Sequence, residues 1–249
     1  MNEETLTGGN VTPVVRIDGT VRRAAGPWTP TIHRLLEHLR ASGIEWVPAP
    51  HGLDDAGREV LDFIPGVVPG YPMPPWVWSD SILEDAGRRL RELHDSSAHF
   101  DRAGTLWRLA SHEPAEVICH NDFVQYNFVF SDEAITGVID FDTASPGPRI
   151  WDVAYLAHRL VPLNERDRAK DNPDERLRRL RLLLHSYGAG FTAAQTITAA
   201  AARLRELAEF SEAQSRIQDR RDLEDHAALY RTDAAALEAG TIVSTDRSR

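Results

Sequence analysis

The sequence predicts an α+β fold with two lobes, a small N-terminal antiparallel sheet that carries one helix and a larger, mostly helical C-terminal part. Three observations support this prediction. Short β-prone runs dominate the first 64 residues, proline and tryptophan crowd the segment PGVVPGYPMPPWVWSD that follows, and helical periodicity continues from Trp151 onward. We therefore expect a boundary after Ile64, which gives lobes of residues 1–64 and 65–249.

Each element of the small lobe has a local signal. Asp18-Gly19 lies between two β-prone runs and predicts a hairpin with a two-residue turn. Apolar residues then recur at helical spacing through residues 32–39, and Gly43 is expected to end that helix. The run EVLDFI, residues 59–64, predicts a further strand that stops at Pro65-Gly66.

The large lobe is predicted to begin with a helix, continue through short strands and end in helices. Ser81 and Glu84 have the spacing of a capping box before an apolar helical face. The runs EVIC, NFVF and ITGVIDF predict strands, the last two joined by a turn at residues 131–133. Asn172-Pro173 predicts the start of a later helix, and two more helical patterns follow it.

Composition argues against several classes of protein. With 28 Lys+Arg against 38 Asp+Glu, the formal net charge of −10 disfavours a nucleic-acid binder and permits a cationic substrate. The single cysteine, Cys119, cannot form an internal disulfide. The chain begins without a basic-apolar leader and has no apolar run as long as a membrane span. We expect a cytoplasmic protein, monomer or homodimer, that binds neither nucleic acid nor membrane.

Polar residues interrupt apolar strands at two places. The run VICHNDFVQYNFVF carries His120, Asp122 and Asn127, and Asp140 ends the strand GVIDF. A lone Asp or Asn at a strand end is usually a turn or cap residue. However, Asn127 and Asp140 lie at the same end of the predicted hairpin, where their oxygen atoms could hold Mg²⁺. Asp122 could then accept a proton from a substrate hydroxyl, as phosphoryl transfer requires. Burying these groups uncompensated would cost about 1–3 kcal/mol each, which favours a bound ion.

The run HNDFVQYN followed by VIDFDTASPGPRIWDVAYL resembles the catalytic core of the aminoglycoside phosphotransferase family, whose members share the protein-kinase-like fold. The family pattern is His-Gly-Asp, four residues, Asn, and then Ile-Asp-Trp/Phe-Asp/Glu. Residues 117–156 carry the specific part of the resemblance. It implies that Asp122 is the catalytic base, that Asn127 and Asp140 bind Mg²⁺, that Asp142 is a further carboxylate at the metal site, and that His120 supports the catalytic loop.

The same resemblance implies an ATP site in the small lobe and a catalytic, substrate-binding role for the large lobe. The backbone of residues 61–64 would bind adenine, with contacts from Leu61, Phe63 and Ile64. The segment TGGN, with Gly8 and Gly9, could cover the phosphates as a glycine-rich loop. An ordinary flexible N-terminus explains these glycines equally well.

The sequence departs from the family pattern at three positions. Asn121 replaces the middle glycine of His-Gly-Asp, a change that a left-handed backbone tolerates because Asn adopts that geometry readily. Family members place a lysine or arginine on the nucleotide phosphates, but the only lysine here, Lys170, follows the catalytic core. The role falls to Arg22 or Arg23, and its spacing from the helix favours Arg22. The helix position of the usual partner glutamate carries His33, with Glu37 one turn on.

These observations predict an ATP- and Mg²⁺-dependent kinase that transfers the γ-phosphate to a hydroxyl of a small molecule, such as an aminoglycoside-like or other cationic antibiotic. Two alternatives stay open. One is a non-catalytic relative that binds a nucleotide or small molecule, which His33 and the missing lysine suggest. The other is a kinase of a metabolite such as choline, homoserine or a sugar, since a fold does not specify its substrate.

Overall fold

The computed structural model describes residues 3–6, 14–164, 172–188 and 190–243. Its strands are β1 (Glu3–Leu6), β2 (Val14–Ile17), β3 (Thr20–Ala24), β4 (Pro50–Leu53), β5 (Arg58–Asp62), β6 (Val117–Cys119), β7 (Phe128–Ser131), β8 (Ala134–Val138) and β9 (Ser145–Gly147). Its helices are α1 (Thr29–Ala41), α2 (Asp80–Ser97), α3 (Arg149–Leu160), α4 (Pro173–Tyr187), α5 (Ala193–Gln218) and α6 (Arg221–Glu238).

The chain forms two compact units, of which the first comprises residues 1–82 and 89–149 and the second residues 83–88 and 150–249. Val67, three residues after the expected boundary at Ile64, pairs with Phe130 of β7 through two backbone hydrogen bonds of 2.8 and 2.9 Å. The first unit therefore contains both the N-terminal sheet and the strands β6, β7 and β8. The division into lobes at Ile64 stays a prediction.

The first unit contains a five-stranded antiparallel sheet in the order β1-β2-β3-β5-β4. Strands β2 and β3 form the predicted hairpin, with Ile17 opposite Thr20 and Asp18 in the left-handed region at φ 52°. In the register of β3 and β5, Arg22 lies opposite Val60 and Arg23 lies opposite Glu59. Neighbouring residues of a strand point to opposite faces, so this register sends the two arginines to different surroundings.

Helix α1 follows β3 and confirms the predicted helix. Pro30 lies in its first turn, where a missing backbone N–H costs nothing. Its apolar stripe is buried, with Ile32, Leu36 and Leu39 at 0% exposure. The chain leaves the helix at Gly43, whose φ of 93° suits glycine.

Helix α2 begins two residues earlier than the sequence predicts. Ser79 is its N-cap, with extended backbone and a hydroxyl that accepts the Ile82 N–H at 3.4 Å. The predicted capping box at Ser81 and Glu84 is therefore wrong. A second serine two residues upstream offers the same hydroxyl, and the local spacing alone did not distinguish the two.

The three strands predicted from the runs EVIC, NFVF and ITGVIDF are confirmed as β6, β7 and β8. β6 pairs with β9, and β7 pairs with β8 in a hairpin that turns at Asp132 and Glu133, both with positive φ. Gly137 in β8 lies close to Ile64, two residues after the end of β5. A Cβ atom at this position would come within 2.8 Å of the Ile64 side chain. This close approach brings the end of β5 beside the hairpin.

The second unit is helical. α4 begins at the predicted Asn172, whose side chain accepts the Glu175 N–H at 2.7 Å, and α5 begins with a capping box formed by Thr192 and Gln195. Across the described ranges, no helix combines the length and apolar character needed to cross a bilayer.

Candidate active site

His120 anchors the loop between β6 and β7. Its ring is fully buried, and its Nδ1 atom accepts the backbone N–H of Asp122 at 3.2 Å. The proton therefore lies on Nε2, which donates to the Ile139 carbonyl at 3.1 Å. In this tautomer the imidazole links the start of the loop to the end of the β7–β8 hairpin. That placement agrees with a supporting role for His120.

Asn121 adopts the left-handed conformation expected at this position, with φ at 64°. Its side-chain amide donates to the Thr143 carbonyl at 2.9 Å and to the Ser145 hydroxyl at 2.8 Å. The asparagine thus accepts the backbone geometry for which the family uses glycine. It also ties the loop to the segment that follows Asp142.

Asp122 and Asn127 form the centre of the loop. The Asn127 amide donates both to the Asp122 carboxylate, at 2.8 Å, and to the Asp122 carbonyl, at 2.9 Å. The second carboxylate oxygen accepts the hydroxyl of Tyr126 at 2.6 Å. Burial raises the pKa of Asp122, and the nearby Asp140 adds to the rise, while the bonds from Tyr126 and Asn127 oppose it. The carboxylate is held in one orientation by two donors.

Asp140 and Asp142 follow β8 in a short 3₁₀ turn. Asp140 has left-handed backbone geometry, with φ at 67° and ψ at 61°, and its side chain is 48% exposed. Asp142 is more enclosed, and burial raises the pKa of its carboxyl group, although Arg23 opposes that rise. Left-handed backbone geometry is uncommon for a residue other than glycine and costs conformational energy. At Asp140 this geometry accompanies a carboxylate that contacts Arg23.

Arg23 connects the N-terminal sheet to this turn. Its Nη1 atom lies 2.9 Å from Asp140 Oδ1, and its Nη2 atom lies 2.5 Å from Asp142 Oδ1. Its Nε atom lies 2.5 Å from Glu59 Oε2. Burial opposes the charged form of Arg23, but these carboxylates outweigh it and raise the pKa of the guanidinium. The arginine is therefore a permanent cation at the centre of an acidic cluster.

Arg22, which the sequence favoured as the phosphate-binding cation, lies elsewhere. Its guanidinium donates to the Thr20 hydroxyl and lies 3.7 Å from the Asp54 carboxylate. The structure brings Arg23, and not Arg22, together with Asp140 and Asp142. The difference follows from the strand, because a shift of one residue moves a side chain to the other face of the sheet.

The sequence reasoning missed three further residues of this cluster. Glu59 binds Arg23 and also lies 3.0 Å from Nε2 of His33. Tyr126 contacts Asp122, and Arg108 lies 3.8 Å from Asp142 Oδ2 with its guanidinium 4.8 Å above the Trp28 ring. Only Tyr126, four residues after Asp122 in the same loop, is close in sequence to a predicted site residue. Glu59 and Arg108 reach the cluster through long-range packing.

The predicted nucleotide contacts lie partly outside the described residues. Gly8, Gly9 and Lys170 fall outside them. Phe63 donates its backbone N–H to the Gly19 carbonyl at 3.0 Å, and Leu61 is paired inside the sheet. The adenine contacts of Leu61, Phe63 and Ile64 stay a prediction.

The chemistry of the cluster suits a divalent cation. Asp140 and Asp142 offer carboxylate oxygens and Asn127 offers its amide oxygen, the ligand type that Mg²⁺ prefers. The carboxylates of Asp122 and Asp142 both have raised pKa values, caused first by burial and then by the repulsion of Asp140. A bound cation would relieve this repulsion, so these residues fit a metal site.

Known proteins share this sequence pattern. Residues 97–183, which include Asp122, Asn127 and Asp140, match the phosphotransferase enzyme family. The trifolitoxin immunity protein of Rhizobium leguminosarum bv. trifolii is 35% identical over an alignment of 200 residues, which covers 76% of this chain and 75% of that protein. The chain belongs to the phosphotransferase enzyme family. The predicted resemblance to the aminoglycoside phosphotransferases is thereby confirmed.

Solved structures show the fold of the phosphotransferase. A choline/ethanolamine kinase family protein from Mesorhizobium loti superposes with a TM-score of 0.63 at 16% identity, covering 95% of this chain and 88% of that one. The ADP-bound aminoglycoside phosphotransferase APH(2'')-Ib superposes with a TM-score of 0.57 at 16% identity, covering 95% and 94%. The predicted protein-kinase-like α+β fold is confirmed.

Family membership also defines the class of the enzyme. The phosphotransferase is a small-molecule kinase, and its family implies a nucleotide as phosphate donor.

Proposed function

We propose that this phosphotransferase transfers the γ-phosphate of ATP to a hydroxyl group of a small molecule in a Mg²⁺-dependent reaction. The observation that carries the proposal is the convergence of Arg23, Asp140 and Asp142 beside the oriented Asp122–Asn127 pair. These are the parts that phosphoryl transfer needs, namely a cation for the phosphates, oxygen ligands for a metal and a base for the attacking hydroxyl.

Asp122 is the proton acceptor in this proposal. The acceptor oxygen attacks the γ-phosphorus, the bond from that phosphorus to the bridging oxygen of ADP breaks, and the hydroxyl proton passes to Asp122. Tyr126 and Asn127 hold the carboxylate, whose oxygens can each accept a further hydrogen bond. A raised pKa brings Asp122 closer to the working pH and makes it a more effective base.

Arg23 is the phosphate-binding cation in this proposal, in place of Arg22. Its guanidinium has five N–H donors, of which three face Glu59, Asp140 and Asp142, so two are left for phosphate oxygens. Asn127, Asp140 and Asp142 would hold Mg²⁺. The metal would neutralise the charge on the transferred phosphate.

The acceptor proposed for the phosphotransferase is a toxic or antimicrobial compound with a hydroxyl group. Support comes from the immunity function named for the relative that is 35% identical, and from the net charge of −10, which suits a cationic compound. A reaction that consumes ATP fits the proposed cytoplasmic location. Choline-type metabolites remain the second candidate because a choline/ethanolamine kinase family protein shares the fold.

The test is an ADP-release assay with the purified chain, Mg²⁺-ATP and a panel of acceptors. The panel contains trifolitoxin, aminoglycosides, a macrolide, choline, ethanolamine, homoserine and sugars. We expect turnover with at least one acceptor and loss of that turnover in Asp122→Asn. Mass spectrometry of the product should show one added phosphate.

Two results would contradict the proposal. Mg²⁺-dependent ATP binding in calorimetry without turnover of any acceptor would favour the non-catalytic binding protein. Turnover that survives Asp122→Asn would show that another residue accepts the proton. Growth of a sensitive host that expresses the chain, at toxin concentrations that arrest the empty-vector control, would separate a resistance enzyme from a metabolite kinase.

A further inference from the structure

Glu59 is a buried carboxylate that belongs to none of the predicted functional positions. It lies in β5, is only 1% exposed, and uses both of its oxygens. Oε2 accepts from Arg23 Nε at 2.5 Å, and Oε1 lies 3.0 Å from His33 Nε2 in α1. A charge this deeply buried is costly unless it is paired and hydrogen-bonded, so both partners are needed to keep it there.

The bond to Glu59 determines which edge of the Arg23 guanidinium faces the site. A guanidinium is planar and its donors have fixed directions. With Nε directed at Glu59, Nη1 and Nη2 are directed at Asp140 and Asp142. Without Glu59 the group could rotate about its side-chain torsions and present other donors. The two remaining N–H groups keep a fixed direction only while this orientation lasts.

The carboxylate that binds Arg23 Nε comes from strand β5 and not from helix α1. The resemblance implies that a glutamate of the helix pairs with the strand cation, but α1 offers His33, and Glu37 is exposed without a hydrogen bond or ion pair inside the described ranges. We propose that Glu59 of β5, held by His33 of α1, is the positioning residue that orients Arg23 toward the nucleotide phosphates. The inference rests on the proposed function, since it assigns Arg23 to the phosphates of ATP.

The chain contains a matched pair for comparison. Arg22 of β3 and Asp54, in the turn after β4, are another arginine and carboxylate, with their nitrogen and oxygen atoms 3.7 Å apart. Arg22 adjoins Arg23 in sequence but contacts neither Asp140 nor Asp142 through any bond of the described residues. Asp54→Asn therefore removes a carboxylate from an arginine of β3, together with the 2.8 Å ion pair between Asp54 and Arg58, but it changes no atom that contacts Glu59, His33 or Arg23.

The experiment measures the dissociation constants of ATP and of adenosine by calorimetry. We expect Glu59→Gln to weaken the binding of ATP about tenfold or more, which is the loss typical of a charged hydrogen bond. The binding of adenosine should stay unchanged, because adenosine has no phosphates. Asp54→Asn should change neither constant. An equal loss for ATP and adenosine, or unchanged ATP binding, would overturn the proposal, because a purely structural residue would not discriminate by phosphate.

A double-mutant cycle tests whether Glu59 acts through Arg23. In an Arg23→Ala background, Glu59→Gln should have little further effect on ATP binding. Additive losses would overturn the proposal. If Glu59→Gln does not fold, His33→Asn tests the same relation more gently, with an expected loss of about threefold for ATP in the wild-type background and none in Arg23→Ala.

The titrations distinguish an error in the proposed function from an error in the role of Glu59. A wild-type chain that binds adenosine but shows no added affinity for ATP over adenosine would overturn the assignment of Arg23 to phosphates, and this inference with it. A wild-type chain whose ATP affinity depends on Arg23 but not on Glu59 would overturn this inference alone.

Discussion

The loop between β6 and β7 and the clamp of Glu59, His33 and Arg23 contribute to the same site but are built differently. In the loop, Asp122 bonds to residues four and five positions away, and its backbone bonds to a residue two positions away. In the clamp, Arg23 bonds to residues 36, 117 and 119 positions away. The loop departs from the family pattern only at Asn121, whereas the clamp has His33 where the pattern implies a glutamate and takes its carboxylate from β5.

This difference shows where a sequence motif is informative. A short motif specifies a loop because the hydrogen bonds that shape it close within the motif itself. The clamp depends on the register of β3 against β5 and on the placement of α1, so its residues can be exchanged for others at distant positions. The loop is therefore expected to tolerate less change than the clamp.

The largest expected effect belongs to the loop. Asp122→Asn should lower kcat by about 10²- to 10⁴-fold, because it removes the proton acceptor while preserving the shape of the loop. The affinity for ATP should stay close to that of the wild type. The measurement is steady-state ADP release together with calorimetric ATP binding. A loss of affinity equal to the loss of kcat would show that Asp122 mainly binds the nucleotide.

The next effect concerns the clamp and its dependence on pH. The partners of Glu59 outweigh burial and lower the pKa of its carboxyl group below the unfolded value. The unfolded chain therefore takes up the proton first as pH falls, so the stabilisation by Glu59 is complete at pH 7 and is lost on acidification through the region below about pH 4.5. At pH 7, Glu59→Gln should lower the free energy of unfolding by about 3 kcal/mol.

Urea denaturation of the wild type and Glu59→Gln, at pH 7 and at pH 4, measures this effect. The difference in free energy of unfolding between the two proteins should be smaller at the lower pH. A gap that stays constant would show that the charge of Glu59 does not stabilise the fold.

A third prediction separates the two neighbouring arginines. Arg23→Ala should weaken ATP binding by about 10- to 100-fold, because a charged hydrogen-bonding group is removed from the acidic cluster. Arg22→Ala should change it by about twofold or less, since its ion pair with Asp54 is long and partly exposed. Calorimetric titration of ATP compares them. Equal effects would show that register does not decide which arginine meets the phosphates.

The smallest expected effect is again in the loop. Tyr126→Phe removes one hydrogen bond to Asp122 but retains the second, from Asn127. We expect kcat to fall about tenfold or less with unchanged ATP affinity. Steady-state kinetics at saturating ATP measures this. A loss as large as that of Asp122→Asn would mean that the tyrosine hydroxyl itself takes part in the chemistry.

Local signals predicted most of the elements correctly. The hairpin at Asp18-Gly19, helix α1, the β7–β8 hairpin and the start of α4 at Asn172 all arise from turn and cap residues that act within a few positions. The predicted start of α2 was wrong by two residues, because Ser79 and Ser81 are both suitable N-cap residues.

The amino-acid sequence determined the family, the fold class and the loop with Asp122 and Asn127, because these depend on local spacing and on hydrogen bonds that close within five residues. Folding decided which arginine meets Asp140 and Asp142, and it supplied Glu59 as the carboxylate at Arg23 Nε. Strand pairing sets both outcomes, since a shift of one residue would exchange Arg23 for Arg22. That register is a property of the pairing between β3 and β5 and has no signal at either arginine.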